Sequence, residues 1–197
     1  MVNRKKVNVV IILDETGSMV HRRDETISGF NEYLIKLKND KTANFSLSLT
    51  KFNSAKIEVV YSLKKLSDVY DLNRDTYNPD NMTPLFDAVG KTILEVEKKI
   101  GKTKKQNVLI CVITDGLENA SIHYTKEMVA QMVADKKKIG WDFFYMYTNI
   151  DEWLAEQQFG AIGTTWGSAY DGSSVSYTST MYGATIDYVS NKKTKKR

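Results

Sequence analysis

The sequence is poor in the residues that the commonest staples and metal sites need. Its 197 residues include one cysteine, Cys111, and two histidines, His21 and His123. A lone cysteine excludes an intrachain disulfide framework, and one Cys with two His cannot supply an ordinary structural zinc site. Cys111 sits inside an apolar run, as a buried small hydrophobe does. No run approaches the ~20 apolar residues needed to span a bilayer. Arg4, Lys5 and Lys6 precede an apolar stretch, as in a secretory signal, but the stretch ends on Asp14 and no small-residue cleavage site follows. A cytoplasmic location with no membrane partner is the resulting expectation. The P-loop and dinucleotide glycine fingerprints are missing too, and no Ser-His-Asp set is suggested.

What remains is an ordinary globular composition, 42 % hydrophobic and 26 % charged, in a chain long enough for one substantial core. The net charge is +4, yet five of the last six residues are basic, and without them the balance is −1. The expectation is one domain over residues 1–190 and a basic, disordered tail over 191–197.

The most informative stretch runs from Val7 to Ser18. An apolar, β-branched run reads as a strand buried on both faces. It stops on Asp14, and Thr16 and Ser18 follow in a turn with Gly17. Three oxygen-bearing side chains at alternate positions are poor packing material and good ligands for a hard cation such as Mg²⁺. Ile27, Phe30, Leu34 and Leu37 predict a helix. The alternation over Asn44 to Phe52 predicts a half-buried strand, and Lys56 to Tyr61 a hairpin partner. A weak helix over Leu66 to Leu72 and a polar loop over Asn73 to Met82 come next. Thr83-Pro84 predicts a helix start with Thr83 as N-cap. Its buried face is Leu85, Ala88, Val89, Ile93, Val96 and Ile100, and Gly101 ends it.

Asn107 to Thr114 is a second buried strand that ends on a carboxylate, Asp115. A helix over Lys126 to Ile139 capped by Thr125, a strand over Trp141 to Tyr147 and a short helix over Asp151 to Gln158 follow. A last strand and a last helix complete the chain, the helix carrying Val175, Tyr182, Ile186 and Val189. This alternation predicts a Rossmann-like, doubly wound α/β domain. Its six-stranded sheet is mostly parallel with one antiparallel strand, and helices lie on both faces. Such sheets bind ligands beyond the carboxyl ends of their strands, where the strand order reverses. Asp14 and Asp115 enter one crevice if their strands are neighbours there. Thr83 lies on the same rim, so Asp14, Thr16, Ser18, Thr83 and Asp115 form a candidate oxygen cluster from three loops.

That pattern resembles the metal-ion-dependent adhesion site (MIDAS) of von Willebrand factor A (vWA) domains: Asp-x-Ser-x-Ser, a distant Thr and a distant Asp. Thr16 replaces the first serine and keeps the hydroxyl. Ile27-Ser28-Gly29-Phe30-Asn31, Met82-Thr83-Pro84-Leu85-Phe86-Asp87-Ala88, Thr114-Asp115-Gly116, Trp141-Asp142-Phe143-Phe144 and Asn149-Ile150-Asp151 are similar to small stand-alone vWA proteins of bacteria and phages. The resemblance spans nearly the whole chain. It implies a bound Mg²⁺ or Mn²⁺, with Ca²⁺ less suited. The two hydroxyls after Asp14 coordinate directly, and Thr83 and the aspartates do so directly or through water. One position stays open for an Asp or Glu of an unknown partner protein. Glu15, His21, Asn81, Glu118 and Asn119 are the candidate partner-binding rim.

Blander roles exist for each residue. The aspartates can be strand-end turn residues, Thr83 only a cap, and Asp87 a carboxylate placed for the helix dipole. Glu118 and Asn119 can be solvent-exposed, and His123 an exposed loop residue. Half of the 28 Lys and Arg, and nineteen with the tail, gather where helices end and strands begin. Complementarity to helix C-termini accounts for this, with a nucleic-acid surface as the alternative. Functionally, a non-catalytic, cation-dependent binding module is favoured. An Mg²⁺-dependent phosphatase of the haloacid-dehalogenase type would want a second carboxylate two residues after Asp14, where Thr16 stands. A structural or assembly subunit is the other alternative.

Overall fold

The computed structural model describes residues 4–101, 106–148, 150, 154, 158 and 166–194. Strands β1 (Lys6–Asp14), β2 (Asn44–Phe52), β3 (Ile57–Lys65), β4 (Asn107–Thr114), β5 (Trp141–Tyr147) and β6 (Trp166–Ala169) form one sheet in the order β3-β2-β1-β4-β5-β6. All pairings are parallel except the β2–β3 hairpin. The chain leaves β1 in one direction through β2 and β3, then returns to β1's other side as β4. The order therefore reverses between β1 and β4, whose register sets Leu13 beside Ile113. Asp14 and Thr114 consequently meet at the same rim.

Helices cover both faces of the sheet. On one face α1 (Arg23–Asn39) and α4 (Ser174–Thr194) pack on Val9, Ile11 and Leu13. On the other, α2 (Leu85–Ile100) and α3 (Lys126–Lys138) pack on Val10, Ile12, Ile110 and Val112. Successive residues of a strand point to opposite faces, so the centre of β1, Val9 to Leu13, is apolar at every position and serves both layers. No helix among the described residues is long and apolar enough to cross a membrane.

Several expectations need correction. β2 is buried on both faces, not half-buried: Ser46, Ser48 and Thr50 lie inside, and Thr50 Oγ1 accepts a bond from Thr92 Oγ1 of α2 at 3.0 Å. Its other hydroxyls pair with the neighbouring strands, Ser46 Oγ donating to Asn8 Oδ1 and Ser48 Oγ accepting from Leu63 N, and local alternation reveals none of these partners. β3 extends to Lys65, and only a single 3₁₀ turn, Leu66–Asp68, stands where a helix to Leu72 is predicted. A further 3₁₀ turn, Gly17–Arg22, precedes α1. α2 begins at Leu85, after Pro84 rather than on it, and Thr83 does not cap it. Its predicted apolar face is buried throughout, and Gly101 ends it at φ +84°. Thr125 caps α3 by accepting from Met128 N at 3.3 Å. In α4 the buried residues include Tyr177, Met181, Thr185, Tyr188 and Val189, while Val175 is 71 % exposed. The helix ends at Thr194. The predicted helix over 151–158 lies outside the described residues, apart from 154 and 158.

Candidate metal centre

Three segments converge at the reversal point. The first is the turn after β1. Asp14 is fully buried, its Oδ1 accepting from Thr16 N at 2.8 Å and its Oδ2 from Thr114 Oγ1 at 2.6 Å. These bonds aim the carboxylate across the gap between the two central strands. Thr16 Oγ1 and Ser18 Oγ are 3.2 Å apart, and Ser18 Oγ donates to Asp115 Oδ1 at 2.5 Å. One chain of contacts thus links the residues after β1 to the carboxylate after β4.

Thr83 comes from the third segment. Asn119 clamps its backbone on both sides: Thr83 N donates to Asn119 Oδ1 at 2.8 Å, and Asn119 N to Thr83 O at 3.1 Å. A methyl group placed on Gly116 would stand 3.4 Å from Thr83 Oγ1 and 3.7 Å from Ser18 Oγ. Both hydroxyls therefore border the space beside Gly116. The five candidate ligand residues are neighbours in space.

Burial pushes the Asp14 carboxyl up to about 6, against the bonds from Thr114 and Thr16 and with added repulsion from Asp115. Asp115 is also raised by burial, opposed by the Ser18 bond and by the charges of Arg22 and His21. Two neighbouring carboxylates, each raised by burial, favour an added cation. The donor chemistry suits a small, hard ion. Octahedral ligands at 2.0–2.1 Å from Mg²⁺ stand about 3 Å from one another along an edge, and the Thr16–Ser18 separation of 3.2 Å is close to that. Among the described residues Tyr170 Oη has no hydrogen-bond partner, and the charges of Arg22, Asp115 and Asp14 all reach it. Among the described residues no three of His, Cys, Asp and Glu converge on a metal position. The cluster is instead two carboxylates with three hydroxyls.

The candidate rim divides. His21 and Asn119 are exposed beside the cluster. Asn81 is exposed in the left-handed region at φ +67°, and its carbonyl accepts from Gly17 N at 2.9 Å. Glu15 is not a free rim group. It pairs with the buried Lys51 at 3.0 Å and accepts from Asn78 N at 2.7 Å. Glu118 turns inward as well, contrary to solvent exposure. It accepts from Phe86 N at 2.8 Å, Ala120 N at 2.8 Å, and Ser121 N at 2.6 Å, and so caps α2 from a distant loop. Asp87 accepts from the amides of Ile122, His123 and Tyr124 at 2.8–3.0 Å, leaving it no place among the ligands.

Sequence reasoning missed three supporting residues. Thr114 holds Asp14, and its position opposite Asp14 at the end of β4 was a usable signal. Tyr77 Oη donates to Asp14 O at 2.6 Å from the polar loop. Arg23 secures that loop by donating from Nε to Tyr77 O at 2.9 Å. Nothing in a Tyr of a polar loop or an Arg at a helix start announces these long-range roles.

No protein-family model matches the chain, and no curated protein matches it. Its fold does have solved counterparts. One is described as the "Crystal Structure of the SpRpn10 VWA domain": TM-score 0.61, 11 % identity, with 90 % of this chain and 94 % of that one covered. The chain therefore has a vWA-like α/β fold. At that identity the likeness concerns the fold.

Proposed function

We propose that this protein is a cation-dependent protein-binding module. Asp14, Thr16, Ser18, Thr83 and Asp115 would hold Mg²⁺ or Mn²⁺, directly or through water, and the ion would act as a Lewis acid for a partner's Asp or Glu. The observation that carries the reading is the meeting of these five side chains where the strand order reverses. Three of the five donor groups are neutral hydroxyls, which leave the ion electrophilic. Thr114 and the Thr16 amide orient Asp14, Asn119 positions Thr83, and Tyr77 anchors the turn. A structural neighbour named for its VWA domain supports the binding-module class.

Thermal unfolding is the direct test. Mg²⁺ or Mn²⁺ at a hundred times its dissociation constant should stabilise wild type by about 2.7 kcal/mol. Asp14→Ala and Asp115→Ala should fold but show no such shift. An unchanged wild-type melting temperature would overturn the cation assignment. A pull-down in Mg²⁺ against chelator, with Asp14→Ala as control, then seeks the partner. A permanent complex would indicate an assembly subunit. Phosphate release abolished by Asp14→Asn would reverse the ranking in favour of a hydrolase.

A further inference from the structure

A groove of about 680 Å³ opens beside the oxygen cluster. Its walls are the β2–β3 turn, the first turns of α2, and the segment from Ala120 to Tyr124 with Met128. None of the five cluster residues lines it, but the two meet along the chain at Thr83. Ser54 N, in one wall, donates to Met82 O at 2.9 Å, and Met82 N donates to Ser54 Oγ at 3.2 Å. Met82 immediately precedes Thr83, and Pro84, which follows Thr83, lines the groove.

The apolar side chains here are held in water by design of the backbone. Ile122 is 83 % exposed and Met128 47 % in the groove wall, and Met82, just outside the lining, is 54 % exposed. Ile122 is not on a loose loop. Its amide and those of the next two residues are bonded to the Asp87 carboxylate. Tyr124 seals the base, its ring lying where any side chain on Gly90 would collide, at 2.6 Å. Burying an exposed side chain of this size is worth ~1.5–3 kcal/mol, so a rigid segment presenting one forgoes that gain. The lining cations, Lys56 and Lys91, are both exposed: Lys56 pairs with Glu58 at 2.9 Å, and Lys91 Nζ donates to Ile57 O at 2.7 Å. The lining carboxylate, Asp87, is buried under its three amides.

We propose that this groove receives the same partner segment that ligates the cation. That segment is an extended stretch of a second protein with a bulky apolar side chain within about four residues of its metal-binding Asp or Glu, and further acidic residues facing Lys56 and Lys91. The inference rests on the cation-site reading above. The cation selects the carboxylate, and the groove selects what stands beside it.

Random displayed peptides panned on wild type in Mg²⁺ and in chelator test this, with Ile122→Ser/Met128→Ser as a third target. The Mg²⁺ thermal shift of each protein is measured first. Peptides enriched only in Mg²⁺ should carry an acid with Leu, Ile, Met or Phe within about four positions. The double variant should keep its Mg²⁺ shift and bind those peptides about tenfold more weakly, roughly the loss of one buried apolar contact. An acid enriched without an apolar neighbour, equal binding by the variant, or no enrichment at all overturns the groove assignment. So does a wild-type dimer in sedimentation equilibrium that the variant abolishes, since the occupant is then a second copy. Absence of any Mg²⁺ shift in wild type fails the cation reading itself, and is seen before any peptide is tested.

Discussion

Asp14 shows how one side chain couples burial to charge. Its folded carboxyl titrates at about 6, against an ordinary value of 3.8. A raised carboxyl favours folding while protonated. That contribution is complete below the unfolded value and is lost as the pH rises through about 6. In chelator, wild type should therefore lose stability relative to Asp14→Asn as the pH rises from 4 to 7, by on the order of 3 kcal/mol. Urea denaturation at several pH values measures this; parallel profiles would contradict it. Saturating Mg²⁺ should reverse the trend, because the ion competes with the proton for the same oxygens. Thr114→Val leaves Asp14 Oδ2 without its hydroxyl donor. It should cost about 1–3 kcal/mol and weaken Mg²⁺ binding at pH 6 more than at pH 8, by calorimetric titration.

Between elements, glycines and remote carboxylates set the spacing. Gly29 of α1 faces Tyr177 of α4, and a methyl group there would lie 2.6 Å from the ring. Gly29→Ala should overpack this contact and destabilise by about 1–3 kcal/mol, read as a lowered melting temperature with the Mg²⁺ shift retained. Glu118 ties the loop after β4 to the start of α2 through Phe86 N and Ser121 N. Glu118→Ala should cost about 1–3 kcal/mol. It should also speed amide exchange at Phe86 and Ser121, since no chain-adjacent side chain caps α2. A Glu two residues beyond Gly116 gives no local hint of this, because the α2 amide it receives, Phe86 N, is 32 residues away along the chain.

At the scale of the whole molecule, several basic residues at the end of the sheet opposite the cluster have partners within the fold. Lys136 pairs with Glu97 and lies over Trp141; Lys138 pairs with Asp135 at 2.7 Å; Lys38 donates to Val69 O at 3.1 Å. These bonds support a structural origin for the charge polarity. Fluorescence anisotropy with duplex DNA at 0.15 M salt should accordingly show no binding. Tight binding with a steep salt dependence would instead assign this face to nucleic acid.

The sequence by itself determined the buried strands β1, β4 and β5, the buried face of α2, and the carboxylate that ends β1 and the one that follows β4 at the rim. Those are local properties, written in the period of apolar residues and the chemistry of the residues that break it. The resemblance carried by three short motifs added the grouping of Asp14, Thr16, Ser18, Thr83 and Asp115. Only the tertiary structure decided that β1 and β4 are adjacent, that Glu15 and Glu118 turn inward, and that Tyr77 reaches back to Asp14. It also built the groove beside Thr83 from segments remote in the chain. These features depend on which hydrogen-bonding groups find each other once the sheet has formed, and no periodicity in the chain encodes those pairings.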